Sequence, residues 1–318
     1  MEQQPRILEL RDALESVIVG QGALLDRLVI GLLCGGHILV EGLPGLAKTT
    51  AVKALAACIH ASFARIQFTP DLLPGDLTGT DVYHEGAFRF VEGPVFHEIV
   101  LADEINRAPA KVQSALLEAM QEHQISVGGQ TRKLPPLFMV MATQNPLEQA
   151  GTYPLPEAQL DRFLLHVAMD YPSADEELEI LRRSRGAAWN GHDLPGATRL
   201  DVATALQARE EVKQIHIAEA VEAYIVELVR ATRRPGEWEP AWSQAVQVGA
   251  SPRAALALAQ TAAALAYLRG RDYVTPDDVR EMAPDCLRHR MILSLEARLE
   301  QITRETLIAR LIEAVPAP

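Results

Sequence analysis

The chain has 318 residues, 48% hydrophobic and 23% charged, a composition typical of a globular protein long enough for about two domains, each with its own core. Its formal net charge of −12 argues against a broad nucleic-acid footprint, because contact with a phosphate backbone needs clustered Lys and Arg. A local basic site is still compatible with this charge.

The first ten residues contain neither an apolar core nor a basic lead, so we expect no secretory signal and a cytoplasmic location. The most apolar window, residues 28–40, is short and interrupted by glycines, so we expect no direct membrane insertion. Cys34, Cys58 and Cys286 are far apart in apolar surroundings. This pattern favours reduced, buried thiols over disulfides or a zinc site.

Two segments with apolar residues at helical spacing, 7–19 and 24–32, open the chain. The corner between them is Val19-Gly20-Gln21. If the segment that follows binds a nucleotide, this corner could form a wall for the adenine ring. A helix cap with no further role explains the same residues equally well.

The next segment has the pattern of a phosphate-binding loop. An apolar run, 38–40, precedes GLPGLAKT, and an apolar-periodic segment follows to Ile59. A strand, a glycine turn and a helix in this order let backbone N–H groups converge on an anion at the positive end of the helix dipole. An ordinary strand-to-helix turn with an exposed Lys is the alternative. The residues assigned to nucleotide binding are Gly42, Leu43, Pro44, Gly45, Leu46, Ala47, Lys48, Thr49 and Thr50.

Within this loop, Lys48 is predicted to reach the terminal phosphates and Thr49 to bind Mg²⁺. The loop departs from the pattern GxxxxGK[ST] because Ala47 stands where the second Gly is expected. We expect Ala47 to adopt right-handed φ and ψ angles at the helix entrance without strain. Gly42 and Gly45 would then make the tight turn.

Two hairpins are predicted beyond the loop helix and the strand 64–68. The first spans 81–91 and turns at Glu85-Gly86, after a loop at 69–79; the second spans 125–134 and turns at Gly128-Gly129. A hairpin between two core strands is more than closure of a sheet requires. The first hairpin is therefore either a working surface or an inert excursion.

Polar residues end the next two predicted strands. Strand 97–102 ends in Asp103-Glu104, a pair that predicts a Mg²⁺ and water site: Asp103 would orient the metal and Glu104 would act as general base. Exposed loop acids are the alternative. Strand 137–142 ends at Asn145, whose amide could bind the γ-phosphate or orient water, although Asn before Pro146 is also a common turn former.

Two arginines are further candidates. Arg162 directly precedes the strand 163–167, and residue chemistry alone favours local pairing with Asp161 or Glu157. Arg253 lies in a first helical turn, where the helix dipole disfavours a cation. An anion such as a γ-phosphate would resolve that conflict, so we interpret Arg253 as a nucleotide sensor.

A boundary is predicted at residues 171 and 172. Ser173 and Glu176 form a capping box, and the long periodic segments beyond them are helical, at 175–185, 201–213, 218–233, 252–269 and 276–287. We therefore predict an α/β domain at 1–171 and an all-α domain at 172–318. The histidines interpreted as structural or solvated are His60, His123, His216 and His289.

The order of these motifs resembles the AAA+ ATPases over essentially the whole chain. The sequences of the motifs are most similar to those of the MoxR branch. This resemblance rests on five segments: EGLPGLAKT (41–49), LADEINR (101–107), ATQNP (142–146), YPLPEAQLDRF (153–163) and GASPRA (249–254). It implies an αβα domain with a five-stranded parallel sheet, followed by a helical lid, with ATP and Mg²⁺ between them. One departure is Ala150, where many relatives carry an acidic residue.

The resemblance also implies roles. Asn145 is similar to sensor 1, Arg253 to sensor 2, and Arg162 to the finger that completes a neighbouring subunit's site; the hairpins resemble the helix-2 insert and the pre-sensor-1 insert. Members form rings, usually hexamers. They act as chaperone-like remodellers with von Willebrand factor A-type partners, often in metal insertion or complex maturation.

Three function classes follow. The first is an ATP-driven remodeller of protein partners. The second is a nucleic-acid motor on the same core, against which the acidic balance counts. The third is a small-molecule kinase, which would need neither the long helical half nor an arginine finger.

Overall fold

The computed structural model describes residues 1–43, 45–84, 86–146, 151–190 and 200–318. Three residues of the sequence-based predictions lie outside the described residues. They are Pro44 of the predicted phosphate loop, Glu85 of the first predicted hairpin turn, and Ala150.

The described strands form one large sheet and three two-stranded pairs. The large sheet has five parallel strands, as predicted, and their order is β2-β5-β8-β1-β9. The apolar runs of β1, β5, β8 and β9 are buried, whereas in the edge strand β2 only Ile66 is buried. The carboxyl ends of the five strands share one edge. The strands are β1 Ile38–Glu41, β2 Phe63–Gln67, β3 Gly79–His84, β4 Ala87–Glu92, β5 Ile99–Asp103, β6 Gln124–Val127, β7 Gln130–Lys133, β8 Met139–Gln144, β9 Leu165–Ala168, β10 Val246–Val248 and β11 Ile292–Leu293.

Helices flank the sheet and make up most of the second half. Short 3-10 helices cover Pro94–Phe96, Ile105–Arg107, Pro235–Glu237, Pro240–Trp242 and Arg288–Arg290. The α-helices are α1 Gln4–Val17, α2 Gly22–Cys34, α3 Lys48–Cys58, α4 Pro74–Thr78, α5 Ala110–Glu122, α6 Glu157–Leu160, α7 Ala174–Asn190, α8 Val202–Val212, α9 Glu219–Arg233, α10 Pro252–Leu268, α11 Pro276–Leu287, α12 Leu295–Leu299 and α13 Arg304–Ala314. Among the described residues, no helix is both long and apolar enough to cross a bilayer.

Two local differences from the predicted elements have simple causes. The segment predicted as a loop at 69–79 contains α4, where Pro74 opens the helix, Asp76 accepts a hydrogen bond from the Leu73 N–H at 2.8 Å, and Leu77 is buried. The helical half also contains the antiparallel pair β10 and β11, in which Val246 faces Leu293. Its helical character is otherwise as predicted.

Both predicted hairpins form, and they lie against each other. The β3–β4 hairpin pairs Gly79 with Glu92 through His84 with Ala87, and β6–β7 is the second hairpin. The guanidinium of Arg132 on β7 lies 3.9 Å from the ring centroid of Phe90 on β4. This contact joins the two hairpins into one surface.

The apolar core is divided by the sheet. One cluster contains Leu39, Val100 and Val140 and packs under α5, whereas the other contains Ile38 and Met141 and packs under α1, α2 and α3. The second cluster continues without a break into α8, α9, α10 and α11. The helical half therefore shares its apolar core with the sheet half, contrary to the expectation of two separate cores, while the boundary near 171 remains a prediction.

Candidate active site

A cavity of about 420 Å³ lies at the carboxyl edge of the sheet. The described residues that line it all belong to the first half of the chain, and they come from the predicted loop and from the ends of three strands. They are residues 45–50, Arg65, Gln67, Asp103, Glu104 and residues 143–145. The sheet order explains this assembly, because the carboxyl ends of neighbouring parallel strands meet at one edge.

Two glycines of the loop are required by its shape. A Cβ on Gly42 would lie 2.9 Å from the Cβ of Met169, so only glycine fits there without movement. Gly45 has a φ of +88°, which glycine adopts at no steric cost. The loop then enters α3 at Lys48, so the positive end of a helix faces the cavity.

The expectation for Ala47 is wrong. Ala47 has φ 56° and ψ 15°, in the left-handed region, rather than the right-handed conformation expected at a helix entrance. An L-residue with a Cβ pays about 1–2 kcal/mol there, because the Cβ crowds the following carbonyl oxygen. The glycine that the pattern calls for would avoid this strain, so the loop carries a local cost at Ala47.

Lys48 points back over the loop. Its ammonium group donates a hydrogen bond to the carbonyl oxygen of Gly42 at 2.7 Å, and the side chain is half-buried. Burial lowers the pKa of Lys48, and the nearby carboxylates of Asp103 and Glu104 oppose this lowering only in part. Lys48 is thus held beside the cavity with both acids close by.

Asp103 is held at both carboxylate oxygens. Oδ1 accepts a hydrogen bond from the Thr143 hydroxyl at 2.6 Å, while Oδ2 accepts two from Arg65, from Nη2 at 2.7 Å and from Nε at 3.2 Å. The same Thr143 hydroxyl accepts a hydrogen bond from the Glu104 N–H at 2.9 Å. Thr143 is fully buried and fixes the two acids relative to each other.

Glu104 ends the strand in a strained conformation. Its φ of 57° and ψ of 50° are left-handed, and this turns the chain into the 3-10 helix that follows. Its carboxylate oxygen Oε2 accepts hydrogen bonds from Gln67 Nε2 at 2.8 Å and from Arg107 Nη1 at 3.0 Å. A predicted general base is therefore held by two donors.

Sequence reasoning missed Arg65, Gln67 and Thr143. Arg65 and Gln67 are polar residues at alternate positions of β2, and Gln67 lies directly opposite Asp103 in the parallel register. Alternate residues of a strand share one side. That alternation was the available signal, although it did not identify β5 as the neighbouring strand.

The donor set fits Mg²⁺ and a nucleotide. The Thr49 hydroxyl and the Asp103 carboxylate are hard oxygen donors of the kind that Mg²⁺ prefers, and both residues line the cavity together with Asn145. The loop presents the first turn of α3, and Ala47 has only a methyl group with which to cap it. These groups suit a polyphosphate.

Arg162 and Arg253 lie elsewhere. Both line a second cavity, of about 330 Å³, together with Arg290. The local pairing favoured for Arg162 is not found, because within the described parts of the chain no carboxylate lies within 4.0 Å of it. Asp161 instead accepts hydrogen bonds from Arg290 Nε at 2.7 Å and from the Ser251 hydroxyl at 2.9 Å.

The corner Val19-Gly20-Gln21 also lies apart from the described lining of the phosphate-loop cavity. Gly20 has a φ of +74°, and a Cβ on it would lie 3.1 Å from Pro172 and Glu176. The corner therefore packs against the residues that lead into α7. An adenine-binding role for it remains a prediction.

The described lining of the phosphate-loop cavity contains neither histidine nor cysteine. The buried His289 ring bonds to the Phe163 carbonyl oxygen at 3.0 Å, and burial holds the pKa of His289 well below its usual value. All three cysteines are free thiols, and burial raises the pKa of Cys34, Cys58 and Cys286. Raised pKa values make thiols poor nucleophiles.

The comparisons with known proteins agree with this geometry. Residues 37–165 match a family model described as the ATPase family associated with various cellular activities, and residues 240–311 match the AAA lid domain. A crystal structure of a protein from Cytophaga hutchinsonii superposes with a TM-score of 0.93 at 46% identity, covering 100% of this chain and 96% of that one.

Curated relatives match along nearly the whole chain. Chaperone MoxR1 of Mycobacterium tuberculosis is 47% identical over 95% of this chain and 80% of its own length. Protein MoxR of Paracoccus denitrificans is 32% identical over 98% of this chain and 96% of its own length. The phosphate-loop cavity, the parallel sheet order and these matches have one explanation: the chain belongs to the MoxR-type AAA+ ATPases.

Proposed function

We propose that this ATPase hydrolyses Mg²⁺-bound ATP at sites shared between subunits of a ring and uses the energy to remodel protein partners. One observation carries the proposal. Lys48, Asp103 and Glu104 surround one cavity, whereas Arg162 and Arg253 line another whose described lining contains no carboxylate. A site with its phosphate loop and acids on one face, and with Arg162 and Arg253 on another, would be completed by a second copy of the chain.

Within one subunit, the residues divide the work. The α3 N-terminus and Lys48 would bind the phosphates, Thr49 and Asp103 would hold Mg²⁺, and the Glu104 carboxylate would take a proton from the attacking water. Asn145 would orient that water or the terminal phosphate. When bound, Mg²⁺ would supply Lewis-acid stabilisation at the phosphate oxygens.

Between subunits, we propose that Arg162 is an arginine finger. Its guanidinium lines a cavity that holds two further arginines, Arg253 and Arg290, in a chain whose net charge is −12. Such a basic surface suits a neighbour's terminal phosphate. Arg253 shares this face, so it would sense the neighbour's nucleotide rather than its own. We propose six subunits, as in the usual rings of this family.

The client surface is proposed to be the β3–β4 hairpin. Tyr83 and Phe88 are 65% and 74% exposed, and their rings contact each other edge to face at 5.2 Å between centroids. Exposed aromatic side chains of this kind suit apolar peptide segments. One relative is named a chaperone, which agrees with a protein client. A von Willebrand factor A-type partner, and a role in complex maturation or metal insertion, belong to the same proposal.

The test has two measurements: stimulation of ATP turnover by a protein client or by DNA, and retention of a protein client by a variant that does not hydrolyse ATP. ATP turnover should rise with a protein client and stay within about twofold of its basal rate with single-stranded or duplex DNA at physiological salt. Glu104→Gln should retain a client in the presence of ATP, and the double variant Glu104→Gln/Phe88→Ser should retain less. Strong stimulation by DNA would favour a nucleic-acid motor and would contradict the remodelling proposal.

A further inference from the structure

Arg65 of strand β2 forms an ion pair with Asp103, the carboxylate that is proposed to hold Mg²⁺. Arg65 Nη2 and Nε both donate to Asp103 Oδ2, at 2.7 and 3.2 Å. The parallel register places Arg65 opposite Leu101, so the guanidinium reaches two residues along β5 to Asp103. Both side chains line the phosphate-loop cavity.

The fold does not need this ion pair to position Asp103. The buried Thr143 hydroxyl already holds the other carboxylate oxygen, Oδ1, at 2.6 Å, and Asp103 continues a strand that is buried between two neighbours. Arg65 is 46% exposed at its side chain, whereas the Asp103 side chain is 15% exposed. The guanidinium can therefore move into solvent while the carboxylate stays in place.

We propose that Arg65 competes with Mg²⁺ for the Asp103 carboxylate and so sets how strongly nucleotide binding depends on the metal. The proposal rests on the proposed function of the site. One carboxylate oxygen cannot satisfy a guanidinium fork and a hydrated divalent cation equally well, so the metal has to displace Arg65 or share the oxygen with it. Arg65 is a positioning residue that acts through Asp103.

The alternative role for Arg65 is direct phosphate binding. Its guanidinium lines the same cavity as Lys48 and could pair with a phosphate oxygen. The two roles predict opposite results without metal. A competitor for Asp103 leaves metal-free nucleotide affinity nearly unchanged when it is removed, whereas a phosphate ligand lowers that affinity.

The experiment measures the dissociation constant of a fluorescent ADP analogue in EDTA and with saturating Mg²⁺. The ratio of the first constant to the second gives the factor by which Mg²⁺ tightens binding. In Arg65→Gln, this ratio should be about two- to fivefold higher than in wild type, because a partly exposed ion pair contributes a free energy of about that size. Affinity in EDTA should stay within twofold. Lys53→Gln removes a positive charge from an exposed position of α3 and should leave the ratio unchanged.

A double-mutant cycle tests whether the effect passes through Asp103. In an Asp103→Asn background, Arg65→Gln should no longer raise the ratio. An unchanged or lower ratio in Arg65→Gln, an EDTA affinity about tenfold weaker, or a gain that persists with Asp103→Asn would each overturn the competition proposal. Circular dichroism and Arg65→Lys, which keeps the charge, check folding. A wild-type protein that binds no nucleotide would instead refute the proposed function.

Discussion

The guanidinium of Arg253 lies 3.9 Å from the carboxylate of Asp161, measured from Nη1 to Oδ2, and Asp161 directly precedes Arg162. The cation of the helical half and the cation of the sheet half therefore face one cavity together. Lys48 and the two acids line a different one. This separation makes the contribution of each arginine testable by mixing inactive subunits.

Arg162→Ala should bind ATP and lose hydrolysis by about 10³ to 10⁵-fold, the contribution of a finger supplied in trans. Glu104→Gln keeps its finger and lacks its base, so each pure preparation is inactive. In a mixed ring, an Arg162→Ala subunit still has Glu104 in its own site, and a neighbouring Glu104→Gln subunit can supply Arg162 to that site. Activity should therefore rise on mixing. Confirmed co-assembly with no activity at any ratio would return Arg162 to a structural role.

The same mixing test decides on which subunit Arg253 acts. If Arg253 serves the neighbour's nucleotide, Arg253→Ala mixed with Glu104→Gln should regain activity, because the Glu104→Gln subunit supplies Arg253. If Arg253 senses its own nucleotide, each Arg253→Ala site stays defective and the mixture stays inactive. Turnover across mixing ratios is the measurement. Arg230→Ala, at an exposed arginine of α9, controls for general disruption.

Lys48→Ala should abolish nucleotide binding. The substitution removes the ammonium group of the loop, while Asp103 and Glu104 stay near the proposed phosphate site and Arg65 stays paired with Asp103. Titration with a fluorescent ATP analogue measures the loss. Lys53→Ala, at an exposed position of the same helix, should bind normally. Near-normal affinity of Lys48→Ala would remove the phosphate-loop assignment.

Glu104→Gln should bind ATP without splitting it, with turnover lowered by about 10² to 10⁴-fold. The amide keeps the size of the side chain but cannot accept the water's proton. Thr143 still accepts the backbone N–H of residue 104, so the strand end should keep its position. Single-turnover measurement with radiolabelled ATP checks this. Hydrolysis within about threefold of wild type would exclude Glu104 as the base.

Ala47→Gly should stabilise the protein by about 0.5–1 kcal/mol. Glycine relieves the left-handed backbone strain, and the higher conformational entropy of the unfolded chain offsets part of that gain. Urea unfolding is the measurement. The matched control is Ala57→Gly, at an exposed helical position of α3, which should destabilise by about 0.5–1 kcal/mol. Equal losses for both variants would contradict strain at Ala47.

The sequence by itself determined what depends on local pattern. The phosphate loop, the strand that ends in Asp103-Glu104, the other core strands and both hairpins were all predicted, because each is encoded by hydrophobic periodicity, glycines and turn residues within a few positions. Their pairing in one parallel sheet was predicted only from the family resemblance. Five helices of the second half, α7 to α11, were predicted for the same reason, whereas α12 and α13 were not predicted. Family resemblance then supplied the activity that the comparisons support.

Tertiary structure alone decided which distant residues meet. Arg65 and Gln67 reach the two acids because β2 lies beside β5, and strand order is not written in either strand. Arg253 lines the same cavity as Arg162 because α10 packs through the apolar core that joins it to α2. Ala47 takes a left-handed angle that opposes its own preference, because the loop between β1 and α3 has to close with that turn. The left-handed conformation costs about 1–2 kcal/mol, and the packing of the elements on both sides of the loop outweighs this cost.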